Sequence, residues 1–213
     1  MLSGPEIIPK NNSKPKQIII LLHGVGANGR NLLDIGHQLS SHFPEAYFIS
    51  PNAPHQYDRA PIGYQWFSLQ DTSESSLLKG LKEAEPYLNE FIDYQLKRFN
   101  LTEDNLAVIG FSQGTMLALH SLPRRSKPVA LITALSGTLI APHLLEKELK
   151  SKPKILFMYG EQDQVLPTKY MKLASQHLKN LGFNIETYRY PDLEHSINSE
   201  EIIKIIDTLK ELF

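Results

Sequence analysis

A serine stands between two glycines in the segment Gly-Phe-Ser-Gln-Gly at residues 110–114. The apolar run 105–109 precedes this segment, and residues 113–122 have the character of a helix that ends before Pro123. A Gly-X-Ser-X-Gly pattern between a strand and a helix is typical of a nucleophilic serine in a strained turn. Flanking side chains would collide there with the neighbouring strand and helix, which explains the glycines. The pattern predicts Ser112 as a nucleophile.

A serine hydroxyl is a poor nucleophile at neutral pH and needs a base to take its proton. Among the eight histidines, His195 is the best placed, because it follows the last predicted strand. In parallel sheets the functional residues gather at the carboxyl ends of the strands. His55 in a long loop is the main alternative, and His120 is interpreted as a packed or surface residue of a helix.

The imidazole of such a base needs an acid that fixes its tautomer and stabilises its charged form. Asp163 follows a strand that ends at Gly160 and is the predicted acid, with Glu161 as a possible substitute and Asp192 as a weaker one. The chain order serine, aspartate, histidine is the order that α/β-hydrolases use. The sequence therefore predicts a triad of Ser112, Asp163 and His195.

A glycine-rich segment at residues 24–29, Gly-Val-Gly-Ala-Asn-Gly, allows two interpretations. It satisfies the Gly-X-Gly-X-X-Gly pattern of dinucleotide-binding proteins, which requires an acidic residue at the end of the next strand. That strand ends in Ser-Pro-Asn at residues 50–52 and has no acid. We therefore favour an oxyanion loop, in which the backbone N–H groups of Val25 and Gln113 point at the developing oxyanion.

The elements that must position these residues alternate along the whole chain. The predicted strands are residues 17–22, 46–50, 105–109, 129–135, 154–159 and 185–190, and the predicted helices are residues 28–43, 113–122, 168–181 and 196–212. Such alternation predicts an α/β fold with a mostly parallel sheet and helices on both faces. The 213 residues contain no repeat and no linker, so we expect a single domain over residues 1–213.

Composition excludes several classes of function. The net charge of −1 gives no basic surface for nucleic acid. No cysteine is present, which removes disulfides, thiolate metal ligands and thiol nucleophiles. Residues 1–16 are polar and lack the apolar core of a secretory signal, so we expect a cytoplasmic protein. The glycosylation triplets at Asn11 and Asn100 are interpreted as fortuitous.

A long connection, Pro51 to Ser73, is rich in proline and aromatic residues and shows no clear period. Long loops of this kind in compact domains are usually functional or mobile. One interpretation is a substrate pocket, and the alternative is a loop packed by its own aromatic side chains. A third is contact with a membrane surface through an apolar patch formed by Ile62, Tyr64, Trp66, Phe67 and Leu69.

Together these segments resemble the phospholipase/carboxylesterase family of α/β-hydrolases, which includes the acyl-protein thioesterases. The similarity extends over nearly the whole chain. It is carried by the segments His-Gly-Val-Gly at 23–26, Ser-Pro-Asn-Ala-Pro at 50–54, Gln-Trp-Phe-Ser at 65–68, Gly-Phe-Ser-Gln-Gly at 110–114, Leu-Ser-Gly at 135–137, Gly-Glu-Gln-Asp at 160–163 and Glu-His-Ser-Ile at 194–197. The sequence differs from the family pattern at Val25, Ala27, Asn28 and Ser68, and these differences bear on substrate preference.

The resemblance implies an α/β-hydrolase fold without a large cap domain, no cofactor and no metal, and a homodimer in many members. It implies the triad and oxyanion roles given above, and a substrate pocket near Trp66, to which we assign Leu69 and Leu166. The expected function is hydrolysis of short- to medium-chain carboxylic esters, lysophospholipids or acyl thioesters through an acyl-enzyme. The alternatives are an acyl-protein thioesterase, a membrane-surface lysophospholipase and a catalytically silent binding protein.

Overall fold

The computed structural model describes residues 1–10 and 13–213, so the triplet at Asn11 lies outside the described residues. Nine strands are present: β1 (Glu6–Ile7), β2 (Gln17–Leu22), β3 (Ala46–Ile49), β4 (His55–Gln56), β5 (Tyr64–Gln65), β6 (Leu106–Phe111), β7 (Leu131–Leu135), β8 (Lys154–Gly160) and β9 (Ile185–Tyr190). The helices are α1 (Gly29–Ser40), α2 (Glu74–Phe99), α3 (Gln113–Ser121), α4 (Pro142–Glu148), α5 (Thr168–Asn180) and α6 (Ser199–Lys210).

Seven of these strands form one sheet in the order β1-β3-β2-β6-β7-β8-β9. Only β1 runs antiparallel to its neighbour, and the other six strands are parallel. The predicted mostly parallel sheet is therefore confirmed. Because parallel strands all end at one edge, the segments that follow β2, β6, β8 and β9 lie along that edge.

The core lies on both faces of this sheet. Side chains alternate along β2, so that Ile18 and Ile20 pack on one face with residues of α2, α3 and α5. Ile19 and Leu21 pack on the other face with residues of α1 and α6. Burial on both faces explains why residues 18–22 of β2 are a continuous run of Ile and Leu without alternating polar residues. The prediction of helices on both faces is confirmed.

Several elements were not among those predicted, and two of them, α2 and the β4–β5 hairpin, lie in the connection from β3 to β6. Helix α2 was not predicted; it has 26 residues and contains Pro86 in its interior, a residue that normally interrupts a helix. The loop expected over residues 51–73 contains a hairpin in which His55 pairs with Gln65 and Gln56 with Tyr64. Strands of two residues are too short to produce a period in the sequence.

No large cap layer covers the carboxyl edge of the sheet in the described part of the chain. The longest connection between sheet strands joins β3 to β6, and it holds the β4–β5 hairpin, α2 and a short 3-10 turn at Glu103–Asn105. Among the helices described, none is both long enough and apolar enough to cross a membrane. The carboxyl edge is therefore accessible beside the hairpin.

Candidate active site

Ser112 occupies the turn between β6 and α3, as the strand–helix context predicts. Its backbone has φ 54° and ψ −113°, a strained combination for a residue with a side chain. A Cβ on Gly110 would lie 2.6 Å from the Thr115 backbone nitrogen, and one on Gly114 would lie 2.0 Å from the Leu22 carbonyl oxygen. Only glycine fits at both positions, which confirms the steric reason for the motif.

The loop after β9 brings His195 to this serine. Nε2 of His195 lies 3.0 Å from Ser112 Oγ, a normal hydrogen-bond distance. Its ring is also 5.0 Å from that of Phe111, measured between centroids. The histidine side chain keeps 14% exposure, and Ser112 keeps 9%. The pair is thus shielded from bulk water and still open to a small molecule.

Asp163 completes a chain of hydrogen bonds. Its Oδ2 lies 2.6 Å from Nδ1 of His195. Its Oδ1 accepts the backbone N–H groups of Val165 at 2.9 Å and Leu166 at 2.8 Å. The carboxylate is fully buried, so these three partners fix its orientation. It can therefore hold the imidazole with its proton on Nδ1 and its free nitrogen toward Ser112.

The alternatives weighed from the sequence lie elsewhere. Glu161 pairs with Arg189 at 3.4 Å, and Asp192 is exposed to solvent. His55 is exposed on the hairpin, where its ring lies 6.2 Å from that of Tyr87. His120 is fully buried on α3. The structure therefore brings together the three residues that the strand-end argument selected.

The two predicted oxyanion amides belong to segments that meet at Ser112. A Cβ on Gly24, the residue before Val25, would lie 3.3 Å from Ser112 Cβ. Gln113 is the first residue of α3, where a helix leaves its backbone N–H groups without intrahelical partners. Among the residues that the structure describes, neither the Val25 nor the Gln113 amide has a hydrogen-bond partner. Both donors are therefore free to serve a ligand.

His23 supports the oxyanion segment and was not identified from the sequence as a functional residue. Its Nε2 accepts the Ala53 N–H at 3.0 Å, so the proton is on Nδ1, which donates to the Gly24 carbonyl at 2.7 Å. Burial lowers the pKa of His23, which keeps this arrangement neutral. The sequence feature that could have indicated this supporting role is the histidine in the His-Gly-Val-Gly segment at residues 23–26.

The side chain of Gln113 joins the nucleophile turn to the hairpin. Its Oε1 accepts the Trp66 backbone N–H at 2.9 Å, and its Nε2 donates to the Phe67 carbonyl at 2.7 Å. The Trp66 indole N–H donates in turn to the His23 carbonyl at 2.9 Å. These bonds span more than 40 residues of sequence, so no local pattern reveals them.

The side chains assigned to the substrate pocket and to the apolar patch are mostly buried, and both assignments stay predictions. Trp66 is 0% exposed, so its indole packs beneath the site and presents no surface to a substrate. Leu69 and Leu166 are half-buried against the core, and Leu166 reaches the site through its amide. Phe67 is buried as well, which leaves Ile62 as the strongly exposed member of the patch at 77%.

The glycine-rich segment also lacks what a nucleotide phosphate would need. The first amides of α1 are already bound: Asn28 Oδ1 accepts those of Arg30 and Asn31, and Asn52 Oδ1 accepts that of Gly29. A phosphate at this helix terminus would have to displace these side chains. Within residues 1–10 and 13–213, no group of three or more His, Asp or Glu side chains is arranged to hold a metal ion.

Known proteins share both the sequence pattern and the fold. Residues 3–213 match the family described as Phospholipase/Carboxylesterase. The esterase YpfH of Escherichia coli is 24% identical over 96% of this chain and 86% of its own. Acyl-protein thioesterase 1 of Mycosarcoma maydis is 30% identical over 92% of this chain and 91% of its own.

A solved structure, that of the esterase PE8, is 33% identical and covers 100% of this chain and 99% of its own, with a TM-score of 0.95. The match therefore includes all the strand ends that carry the predicted triad and the predicted oxyanion amides. The resemblance predicted from the segments is confirmed over nearly the whole length. The chain belongs to the phospholipase/carboxylesterase family of ester hydrolases.

Proposed function

We propose that the protein is a serine carboxylesterase that hydrolyses short- to medium-chain carboxylic esters through an acyl-enzyme. The observation that carries this proposal is the continuous chain from Asp163 Oδ2 through His195 to Ser112 Oγ, with distances of 2.6 and 3.0 Å. A nucleophile bonded to a base that is itself oriented by an acid is the arrangement that acyl transfer requires.

In the acylation step, Ser112 Oγ attacks the ester carbonyl carbon while its proton passes to His195 Nε2. The carbonyl oxygen becomes an oxyanion and accepts hydrogen bonds from the Val25 and Gln113 amides. The tetrahedral intermediate collapses when Nε2 returns the proton to the leaving oxygen, and the alcohol departs. Oriented donors at the oxyanion each lower the barrier by about 2.7–4 kcal/mol in serine hydrolases.

In the deacylation step, water takes the place of the alcohol. His195 Nε2 removes a proton from the water as its oxygen attacks the acyl carbon. The same two amides hold the second oxyanion, and Nε2 then returns the proton to Ser112 Oγ as the carboxylic acid is released. Asp163 stabilises the imidazolium in both steps without becoming protonated itself.

A thioester is the second substrate class. The relatives include acyl-protein thioesterases, among them the 30% identical protein of Mycosarcoma maydis. The same steps apply with a thiol as the leaving group, which needs less help from a general acid because a thiolate leaves more easily than an alkoxide. A panel of matched butyryl esters and butyryl thioesters separates the two preferences.

The proposal is tested with Ser112→Ala and with Ser75→Ala, an exposed serine of α2, as control. We expect hydrolysis of p-nitrophenyl butyrate to fall by on the order of 10⁶ in the first variant and to stay at the parental rate in the second. A fluorophosphonate probe should label the parent and Ser75→Ala but not Ser112→Ala. Parental rates or labelling in Ser112→Ala would contradict the assignment, and an unlabelled, inactive parent would favour a silent binding protein.

A further inference from the structure

A cleft of about 410 Å³ lies between α1 and α6, next to the site but outside the triad. We call it the α1–α6 cleft. Its apolar lining consists of Ala27, Leu32, Ile35, Phe111, Ile197 and Ile202. Asn31 and Gln38 on one side and Ser199 on the other form an exposed polar rim. Its volume falls in the range of pockets that bind small molecules.

One end of the cleft is formed by residues that neighbour the proposed reacting groups in the chain. Gly24 and Phe111 line this end; the first precedes a proposed oxyanion donor and the second precedes Ser112. The Phe111 ring lies 5.0 Å from the His195 ring. At the α6 side, the lining begins with Ile197, two residues after the same histidine. The cleft therefore lies beside the imidazole of His195.

The position of the α1–α6 cleft relative to His195 determines which half of an ester fits in the cleft. Nε2 must deliver its proton to the leaving atom, so the leaving group lies on the imidazole side of the tetrahedral intermediate. We infer that the α1–α6 cleft binds the alcohol portion of the substrate, and that this portion is uncharged and largely apolar. The inference rests on the proposed function and specifies its substrate class.

The chemistry of the lining supports an uncharged group. Among the described residues that line the cleft, none is Lys, Arg, Asp or Glu. Its histidine, His23, has its pKa lowered by burial and has both ring nitrogens occupied. A phosphate-bearing leaving group would lose its hydration without gaining a cationic partner. Esters of neutral alcohols are therefore favoured over lysophospholipids.

The test is a series of butyrate esters of methanol, butanol and hexanol. Because methanol is too short to enter the apolar part, kcat/KM should rise about two- to fourfold for each methylene that the cleft buries. Ser199→Trp places an indole on the rim and should abolish this rise. Glu200→Trp, at the adjacent exposed position of α6 outside the lining, is the matched control and should retain it.

A second measurement distinguishes the two halves of the ester. Every ester in the series gives the same butyryl-enzyme, from which the alcohol has already left. Ser199→Trp should therefore leave the rate of butyrate release from the preformed butyryl-enzyme unchanged, and it should leave the ranking of methyl esters of graded acyl length unchanged. Gln38→Trp, on the opposite rim and far from the start of α6, should reproduce both results.

Two outcomes would overturn the inference while the proposed function stands. One is a parental kcat/KM that does not depend on alcohol length. The other is a Ser199→Trp or Gln38→Trp variant that alters acyl-length preference or butyrate release, which would assign the cleft to the acyl chain. Failure of the proposed function itself has a different signature: the parent would hydrolyse none of the esters and would resist the fluorophosphonate probe.

Discussion

Asp163 is held more firmly than any other member of the triad. Two backbone amides bind one of its oxygens, and His195 binds the other. The carboxylate cannot rotate without breaking its hydrogen bonds to the Val165 and Leu166 amides. The direction of the imidazole is therefore determined by the turn that follows β8. At the scale of single residues, the acid sets the geometry that the base uses.

Asp163→Asn tests this control of the tautomer. The amide can donate to Nδ1, which would move the imidazole proton to Nε2 and leave no free nitrogen for Ser112. We expect kcat for p-nitrophenyl butyrate to fall by about 10³–10⁴, with little change in the melting temperature. Asp192→Asn, an exposed aspartate near the same histidine in sequence, should keep the parental kcat. A loss of less than tenfold in Asp163→Asn would show that another acid orients His195.

The proposed triad could be selected from the sequence because each member comes shortly after a predicted strand of the sheet. The residues that support the triad and the oxyanion segment could not be identified from the sequence. His23 acts through Ala53, thirty positions away, and Gln113 acts through Trp66 and Phe67. Such contacts depend on how loops fold over the sheet edge, and no spacing rule encodes them. For the same reason the full burial of Trp66, which the sequence assigned to a substrate pocket, was not predicted.

At the scale of elements, the β4–β5 hairpin pairs with the oxyanion segment. The Gly26 N–H donates to the Tyr64 carbonyl, and the Tyr64 N–H donates to the Ala27 carbonyl, both at 2.8 Å. Gly63 makes this approach possible: its φ is +87°, and a Cβ there would lie 2.0 Å from the Gly26 carbonyl oxygen. The hairpin thus fixes the backbone on which the Val25 donor stands.

Gly63→Ala should displace the hairpin and the oxyanion segment together. We expect kcat/KM for p-nitrophenyl butyrate to fall by about 10–10³, the upper value being the loss of one oxyanion donor. Gly182→Ala is the matched control, because Gly182 has φ +79° but lies after α5 with only the end of the Lys152 side chain nearby. Both variants should lose about 1–3 kcal/mol of stability. Equal kcat/KM values in the two would contradict a role for the hairpin in catalysis.

Helices and strands were predicted correctly where their burial produces a hydrophobic period or an apolar run in the sequence. The strands of the sheet from β2 to β9 and helices α1, α3, α5 and α6 were found within a few residues of their ends. Helix α2 was missed because Pro86 and many charged residues mask its apolar stripe. The hairpin was missed because its pairing depends on contacts with the oxyanion segment rather than on its own short strands.

At the scale of the whole molecule, a buried carboxyl links stability to pH. Glu201 of α6 is fully buried and accepts the Asn198 N–H through Oε2, while Oε1 has no partner among the described residues. Burial raises the pKa of Glu201 to about 7. Between its ordinary value of 4.5 and about 7, the folded protein holds a proton that the unfolded chain has released. The free energy of unfolding therefore decreases as pH rises through this window.

Glu201→Gln should remove this dependence while keeping an oxygen for the helix cap. We expect similar stability of parent and variant at pH 5 and a variant more stable by roughly 1–3 kcal/mol at pH 8. Urea unfolding at the two pH values measures both differences. Glu200→Gln, exposed in the same turn, should follow the parent. If the parent and Glu201→Gln change in parallel with pH, the buried carboxyl does not titrate in this window.

The oligomeric state and the cellular location are properties of the protein as a unit. The homodimer and the cytoplasmic location inferred from the sequence stay predictions. Contact with membranes through residues 51–73 also stays a prediction, and Ile62 is the strongly exposed apolar side chain of that segment, because Trp66 and Phe67 are inside the protein. A neutral alcohol in the α1–α6 cleft would fit a substrate that arrives from solution.

Trp66 is the single tryptophan of the chain, and its indole N–H is bonded to the carbonyl of His23. Its fluorescence therefore comes from one place, in hydrogen-bond contact with His23 and the Gln113 side chain. A change in emission during titration with denaturant or with an acylating inhibitor reports on that place, not on an average over the fold. The protein thus contains its own optical probe, whose signal distinguishes loosening of the catalytic edge from unfolding of the sheet when it is compared with circular dichroism.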